Sequence, residues 1–195
     1  MDTRLLLISH ASTAAMRAGR FPADDPLDAR GLAEAGAACA PLSIPDNAAI
    51  FVSPAVCARD TASALGVAAT VHEGLADMDY GLWRGRRLAD LAVEAPQELA
   101  AWTHDPDAAA HGGESFTQLV KRVGQWLDAL DNALSEEPRN AQNIVAITHA
   151  PVIRAVIVHA LGASPAVFPR IEIAPLAMVE LRRSRRGWAW WPASQ

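Results

Sequence analysis

Two segments near opposite ends of the chain share one form. Leu5-Leu6-Leu7-Ile8-Ser9-His10-Ala11 and Ile144-Val145-Ala146-Ile147-Thr148-His149-Ala150 each run as four apolar residues, a hydroxyl residue, a histidine and an alanine. Apolar runs this short, leucine-rich or β-branched and closed by polar residues, read as strands buried on both faces. Such strands belong to parallel sheets covered by helices on either side. In an open parallel sheet, ligands bind beyond the carboxyl ends of the strands. Two parallel strands that each end in histidine therefore deliver two imidazoles to one edge. Either histidine alone is accounted for as a helix cap or a satisfied buried polar group. The pair, in one local setting, makes a shared site the better reading.

The rest of the chain fits that frame. Ile50–Val52 is a third buried-strand run, and alanine-rich stretches between the runs read as helices over Leu32 to Ala40, Thr61 to Ala69 and Phe116 to Leu134. The last opens on Gly112-Gly113-Glu114-Ser115, a turn followed by an N-cap residue, and ends before Pro138. Strands alternating with helices imply βαβ units. The expectation is a three-layer α/β/α sandwich with a mainly parallel sheet, formed by one domain over residues 1–195. Toward the C-terminus, Ile171 to Leu181 alternates loosely, Arg182 to Gly187 reads as a basic turn, and Trp188 to Trp191 as a returning edge strand. Phe21–Pro26 and His104–Gly113 read as loops.

Charge and composition narrow the function. With 17 Lys+Arg against 22 Asp+Glu, the net charge of -5 argues against a nucleic-acid partner. No stretch reaches the roughly 20 apolar residues of a membrane helix. The apolar core of Met1–Ile8 is too short for a signal peptide, so a cytoplasmic location is expected. Cys39 and Cys57 form no CxxC pair, which removes a zinc ribbon or a disulfide framework. Cys39 reads as core, and Cys57 as a small pocket residue without a basic partner to make it a reactive thiolate. Trp102, Trp126 and the Trp188/Trp190/Trp191 group read as packing residues, with an edge-strand interface, as in a homodimer, the other option.

Six segments, in order, resemble the histidine phosphatase superfamily, the phosphoglycerate-mutase-like proteins. Leu7-Ile8-Ser9-His10-Ala11-Ser12-Thr13 stands where that family has its Arg-His-Gly signature, and Asp25-Pro26-Leu27 with Gly31 resembles its entry to the first helix. Ser53-Pro54-Ala55-Val56-Cys57-Ala58-Arg59-Asp60-Thr61-Ala62 resembles Ser-Pro-Leu-x-Arg-Ala-x-x-Thr-Ala, and Leu75 to Gly85 resembles Leu-x-Glu-(x)3-Gly-x-Trp-Glu-Gly. Gly112-Gly113-Glu114-Ser115, with Arg122 behind it, and Thr148-His149 complete the series. The resemblance implies a phosphoglycerate-mutase-like sheet and a phosphohistidine intermediate on His10. It makes Asp77 the general acid and His149 a phosphoryl ligand, with Glu114 and Ser115 near the site and no cofactor. The short chain is more similar to the small phosphatase branch, which includes the alpha-ribazole phosphatases, than to the glycolytic mutases.

The departures fall on the chemistry. Ser9 and Cys57 stand at the family's two arginine positions, Asp77 replaces a glutamate, and Arg84 replaces the glutamate after the tryptophan. A hydrogen bond to a charged group contributes about 1.5–3 kcal/mol, so two lost arginines remove about 3–6 kcal/mol of transition-state stabilisation. That is about two to four powers of ten in rate. Arg20 is the foremost compensator and Arg84 the next, while Ser9 retains one neutral hydrogen bond. Arg59 is turned about 200° from Cys57 if helical.

Three readings stay open. The first is a slow phosphomonoester hydrolase acting on a small phosphorylated metabolite. The second is a pseudoenzyme kept as a binding module. The third is a metal site built from His10, His149 and Asp77 or Asp79, a two-histidine, one-carboxylate set.

Overall fold

The computed structural model describes residues 3–42, 44–136 and 143–191. Its sheet contains β1 (Thr3–Ser9), β2 (Ala49–Val52), β3 (Thr70–Val71), β4 (Asn143–Thr148), β5 (Met178–Ser184) and β6 (Gly187–Trp191). The spatial order is β3-β2-β4-β1-β5-β6. The first four run parallel, and β5 and β6 form an antiparallel hairpin on the β1 edge. The helices are α1 (Ala14–Arg17), α2 (Ala29–Leu42), α3 (Val56–Ala64), α4 (Leu88–Glu94), α5 (Pro96–His104), α6 (Phe116–Glu136) and α7 (Ala150–Ala160).

β1 shows why the layers form. Successive strand side chains point to opposite faces, and Leu5, Leu6, Leu7 and Ile8 are all buried. Leu5 and Leu7 pack with Ile144 and Ala146 of β4 against Leu119 and Val123 of α6 and Val152 and Val156 of α7. Leu6 and Ile8 pack with Val145 and Ile147 against Leu42 of α2 and Ala58 and Ala62 of α3. The unbroken apolar runs that signalled a doubly covered sheet thus supply two separate cores, one on each face.

Several boundaries differ from the sequence reading. α3 starts at Val56 and stops at Ala64, because Gly66 takes φ +72 just beyond it and a left-handed glycine there ends a helix. α4 and α5 are short helices that the sequence pattern did not signal, and His104 closes α5 instead of opening a loop. The hairpin turns on Arg185 and Arg186 alone, so Arg182 and Arg183 belong to β5. Arg182 lies over the Trp191 ring, 4.3 Å from its centroid. β5 begins only at Met178, after the positive-φ residue Leu176. Cys39 is exposed, not core. Trp126 is buried, whereas Trp190 and Trp191 stay exposed on β6.

Among the described residues, no helix is long and apolar enough to cross a membrane.

Candidate active site

Strand register assembles the site. Ser9 lies opposite Thr148, and Val52 opposite Ile147, so the ends of β2, β4 and β1 lie side by side. The residues that leave the sheet there are Ser53, His149 and His10. The His10 amide donates to the Thr148 carbonyl at 2.8 Å and the Ser53 amide to Ile147 at 2.9 Å. The two imidazoles meet with ring centroids 4.9 Å apart and planes at 67°.

The tautomer of His10 follows from its partner. Nδ1 lies 2.8 Å from the Ala11 carbonyl oxygen, which only accepts, so Nδ1 carries the hydrogen and a neutral ring keeps its lone pair on Nε2. Burial, followed by the neighbouring His149, brings the His10 pKa down to about 4. Nε2 is therefore unprotonated at neutral pH, with a lone pair available for nucleophilic attack.

His149 caps α7 with its backbone, and its side chain makes no capping bond. Its Nε2 is 2.8 Å from Ser53 Oγ. Nδ1 has no hydrogen-bond partner and stands 3.3 Å from Asp77 Oδ2. Burial is the main cause that lowers the His149 pKa to about 3, with the Arg122 charge adding to it, so this approach is not an ion pair at neutral pH. Ser53, His149 and Asp77 have the connectivity of a serine nucleophile triad. Ser53 is wholly buried and lies outside the cavity lining, however. Its hydroxyl orients the ring instead of attacking a substrate.

Asp77 completes the group. Burial raises its carboxyl pKa to about 6, against the opposing pull of His10, the Met78 amide and Arg122. Its segment is held from behind. Arg122 of α6 donates to the Ala76 and Asp77 carbonyls, both at 3.1 Å, and forks onto Glu114 at 2.9 and 3.0 Å. The Glu114 amide closes the loop onto the Asp79 carbonyl at 2.8 Å. A Cβ on Gly113 would meet that same carbonyl oxygen at 2.1 Å, so only glycine allows this close approach.

These side chains face a cavity of about 350 Å³. Its lining includes His10, His149 and Cys57, whose thiol burial pushes up to about 12. It also includes Asp24, Asp25, Asp77 and Asp79, against Arg84 as the one arginine or lysine.

The expected site residues separate accordingly. His10, Asp77, His149 and Arg84 come together at the cavity. Ser9 is buried and does not line it. Arg20 is exposed, donates to the Gly85 carbonyl at 2.9 Å and lies outside the lining. Glu114 is engaged by Arg122. Ser115 and Gln118 cap α6 reciprocally, at 2.7 and 3.2 Å. Among the described residues, the donor group that could hold a metal ion joins the two histidines to Cys57 and includes neither Asp77 nor Asp79. The sequence reading gave no role to Ser53 or His111. Ser53 could have been found as the residue directly after β2, at the edge the histidines share. His111 is fully buried, 5.0 Å from Trp83 between ring centroids, and accepts from the Gly113 amide at 3.0 Å. No spacing in the sequence marks it.

Comparison with known proteins agrees with this architecture. The bifunctional protein Rv2228c of Mycobacterium tuberculosis (strain H37Rv) is 28% identical over 187 residues, covering 91% of this chain and 50% of that protein. The chain thus spans about half the length of the first curated relatives it matches. Phosphoserine phosphatase 1 of Hydrogenobacter thermophilus is 25% identical over 169 residues, 82% of this chain and 76% of that protein. The solved structure of the mycobacterial glucosyl-3-phosphoglycerate phosphatase Rv2419c with VO3 superposes with a TM-score of 0.84 at 27% identity, over 98% of this chain and 100% of that one. The family model for the histidine phosphatase superfamily (branch 1) matches residues 5–191. By that match over nearly its whole described length, the chain belongs to the histidine phosphatase superfamily.

Proposed function

We propose that the protein is a slow phosphomonoester hydrolase acting through a phosphohistidine on His10. The observation that carries this reading is the Nδ1 bond to Ala11, which leaves the Nε2 lone pair of a neutral, buried imidazole at the cavity. Nε2 attacks phosphorus as the ester P–O bond breaks, and the Asp77 carboxyl gives its proton to the departing oxygen. Its pKa of about 6 suits that exchange near neutrality. Water then attacks the phosphohistidine, Asp77 takes the proton back, and Nε2 is released. Ser53 Oγ donates to Nε2 of His149 in this step, which leaves Nδ1–H to donate to a phosphoryl oxygen.

Turnover is slow because the cavity is short of cations. Phosphoryl transfer depends on charge stabilisation, and this lining holds four aspartates against one arginine. The same imbalance favours a second reading, a binding module that has lost catalysis. The relatives named as phosphatases support a small phosphorylated metabolite as substrate under the first reading.

A panel of phosphomonoesters, assayed beside His10→Ala, separates the two. Phosphate release that disappears in the variant, with a labelled phosphohistidine trapped on the parent protein, supports hydrolysis. Equal background release from both proteins across the panel removes it.

A further inference from the structure

We infer that the base of this cavity is a soft-cation site, in which His10, Cys57 and His149 bind a zinc-class ion. One donor atom from each of these three buried residues lies within 4.8 Å of those of the other two. Each imidazole has one nitrogen committed elsewhere, Nδ1 of His10 to Ala11 and Nε2 of His149 to Ser53. One nitrogen on each therefore remains. Nδ1 of His149, on a side chain only 2% exposed, has no hydrogen-bond partner. A buried polar atom left this way costs about 1–3 kcal/mol, and a cation would satisfy it.

The surroundings agree in charge and in chemistry. Asp77 Oδ2 is 3.3 Å from that same nitrogen, in place to neutralise a cation, while water completes its coordination. Asp24, Asp25 and Asp79 also line the cavity. Two imidazoles and a thiolate select Zn²⁺, Co²⁺ or Cu⁺ over Mg²⁺ and Ca²⁺. Around tetrahedral zinc, donors stand about 3.4–3.6 Å apart, so binding draws the three inward by about 1 Å. As the Sγ–metal bond forms, the Cys57 thiol proton leaves to solvent. Ser53 orients the metal-bound imidazole by accepting from Nε2–H, the same hydroxyl now in its acceptor role. An arginine at position 57, where the family has one, would place a fixed positive charge here. Cysteine removes that charge and adds a donor.

The site does not depend on the hydrolase reading, because occupancy is read directly. Co²⁺ is titrated into a Cys39→Ser protein, whose remaining thiol is Cys57, with a tenfold excess of Mg²⁺ present. The expected result is one Co²⁺ per chain, a near-ultraviolet thiolate-to-cobalt band and the intense visible bands of a four-coordinate ion, all displaced by one equivalent of Zn²⁺. Adding Cys57→Ser should remove the thiolate band and weaken affinity at least tenfold. His149→Gln should also weaken it, with far-ultraviolet circular dichroism confirming that both variants are folded. Sub-stoichiometric binding, or one equivalent of Co²⁺ without a thiolate band, overturns the inference. The Cys39→Ser spectrum decides this even if neither further variant folds.

Discussion

Arg122 donates to the backbone carbonyl of Asp77 at 3.1 Å, so the proposed general acid is positioned by a helix that, among the described residues, lines no part of the cavity. The guanidinium spans five acceptors, two on Glu114 and the carbonyls of Gly74, Ala76 and Asp77. Arg122→Ala leaves these without their donor, including a Glu114 side chain that is only 15% exposed. It should cost about 1–3 kcal/mol of stability and lower phosphate release at least tenfold. Arg122→Lys should rescue little, because an ammonium lacks the fork. Urea denaturation and the phosphate-release assay check the two effects separately.

Activity should peak on the acid side of neutrality. His10, facing His149 and Asp77, must be neutral and is so above about pH 4. Asp77, facing His10, Arg122 and Glu114, must be protonated, and that fraction falls above about pH 6. Turnover is expected to be greatest near pH 5 and to drop about tenfold per unit well above pH 6. Asp77→Asn should abolish the alkaline limb and depress the rate throughout, as a pH series from 4 to 8 would show.

Stability should fall as pH is lowered over the same region. Below about 6.5 the unfolded chain protonates both imidazoles, whereas the native state holds His10 neutral to about 4 and His149 to about 3. Asp77 opposes this, because its native carboxyl binds a proton near pH 6 while its ordinary value is 3.8. These two imidazoles against one carboxyl leave the unfolded state ahead by about one proton, and His111, whose pKa burial also lowers, acts in the same direction. The native state should therefore lose at least about 1.4 kcal/mol per pH unit between 6 and 5. Urea midpoints at those two values give the slope.

Cationic charge at position 57 should raise turnover. Cys57 lines the cavity beside His10 and His149, so Cys57→Arg places a guanidinium beside the position the transferred group would take. One charged hydrogen bond is worth about 1.5–3 kcal/mol, which corresponds to a gain in phosphate release of about tenfold to a hundredfold. A variant that folds and shows no gain would argue for the binding-module reading.

The outline of the fold was legible because its signals are local. The apolar runs of β1, β2 and β4, and the Ser115 cap of α6, are written in a few consecutive residues. The short helices α4 and α5 carry too few turns to show a period, and tertiary packing decides them. In the site, His10 and His149 were visible as strand endings, and Asp77 through its motif. The Ser53–His149 bond joins positions 96 residues apart, and the Arg122–Asp77 brace joins positions 45 apart. Neither the register of β2 on β4 nor the path of α6 behind the Asp77 loop can be read from spacing. Arg20 shows the converse failure. It was singled out for its charge and its place after β1, yet its guanidinium is turned to Gly85.

The strand order also governs how the protein is made. β1 takes its partners from β4 and β5, which begin at Asn143 and Met178. At about 5–20 residues per second, the Leu5–Ile8 segment leaves the ribosome roughly 7–28 s before β4, the earlier partner, is complete. During that interval a four-residue apolar strand with two open edges is available to any other nascent chain. Efficient production should therefore depend on a ribosome-associated chaperone that shelters this segment. Slowing translation ahead of β4 should lengthen the exposure and lower the soluble yield.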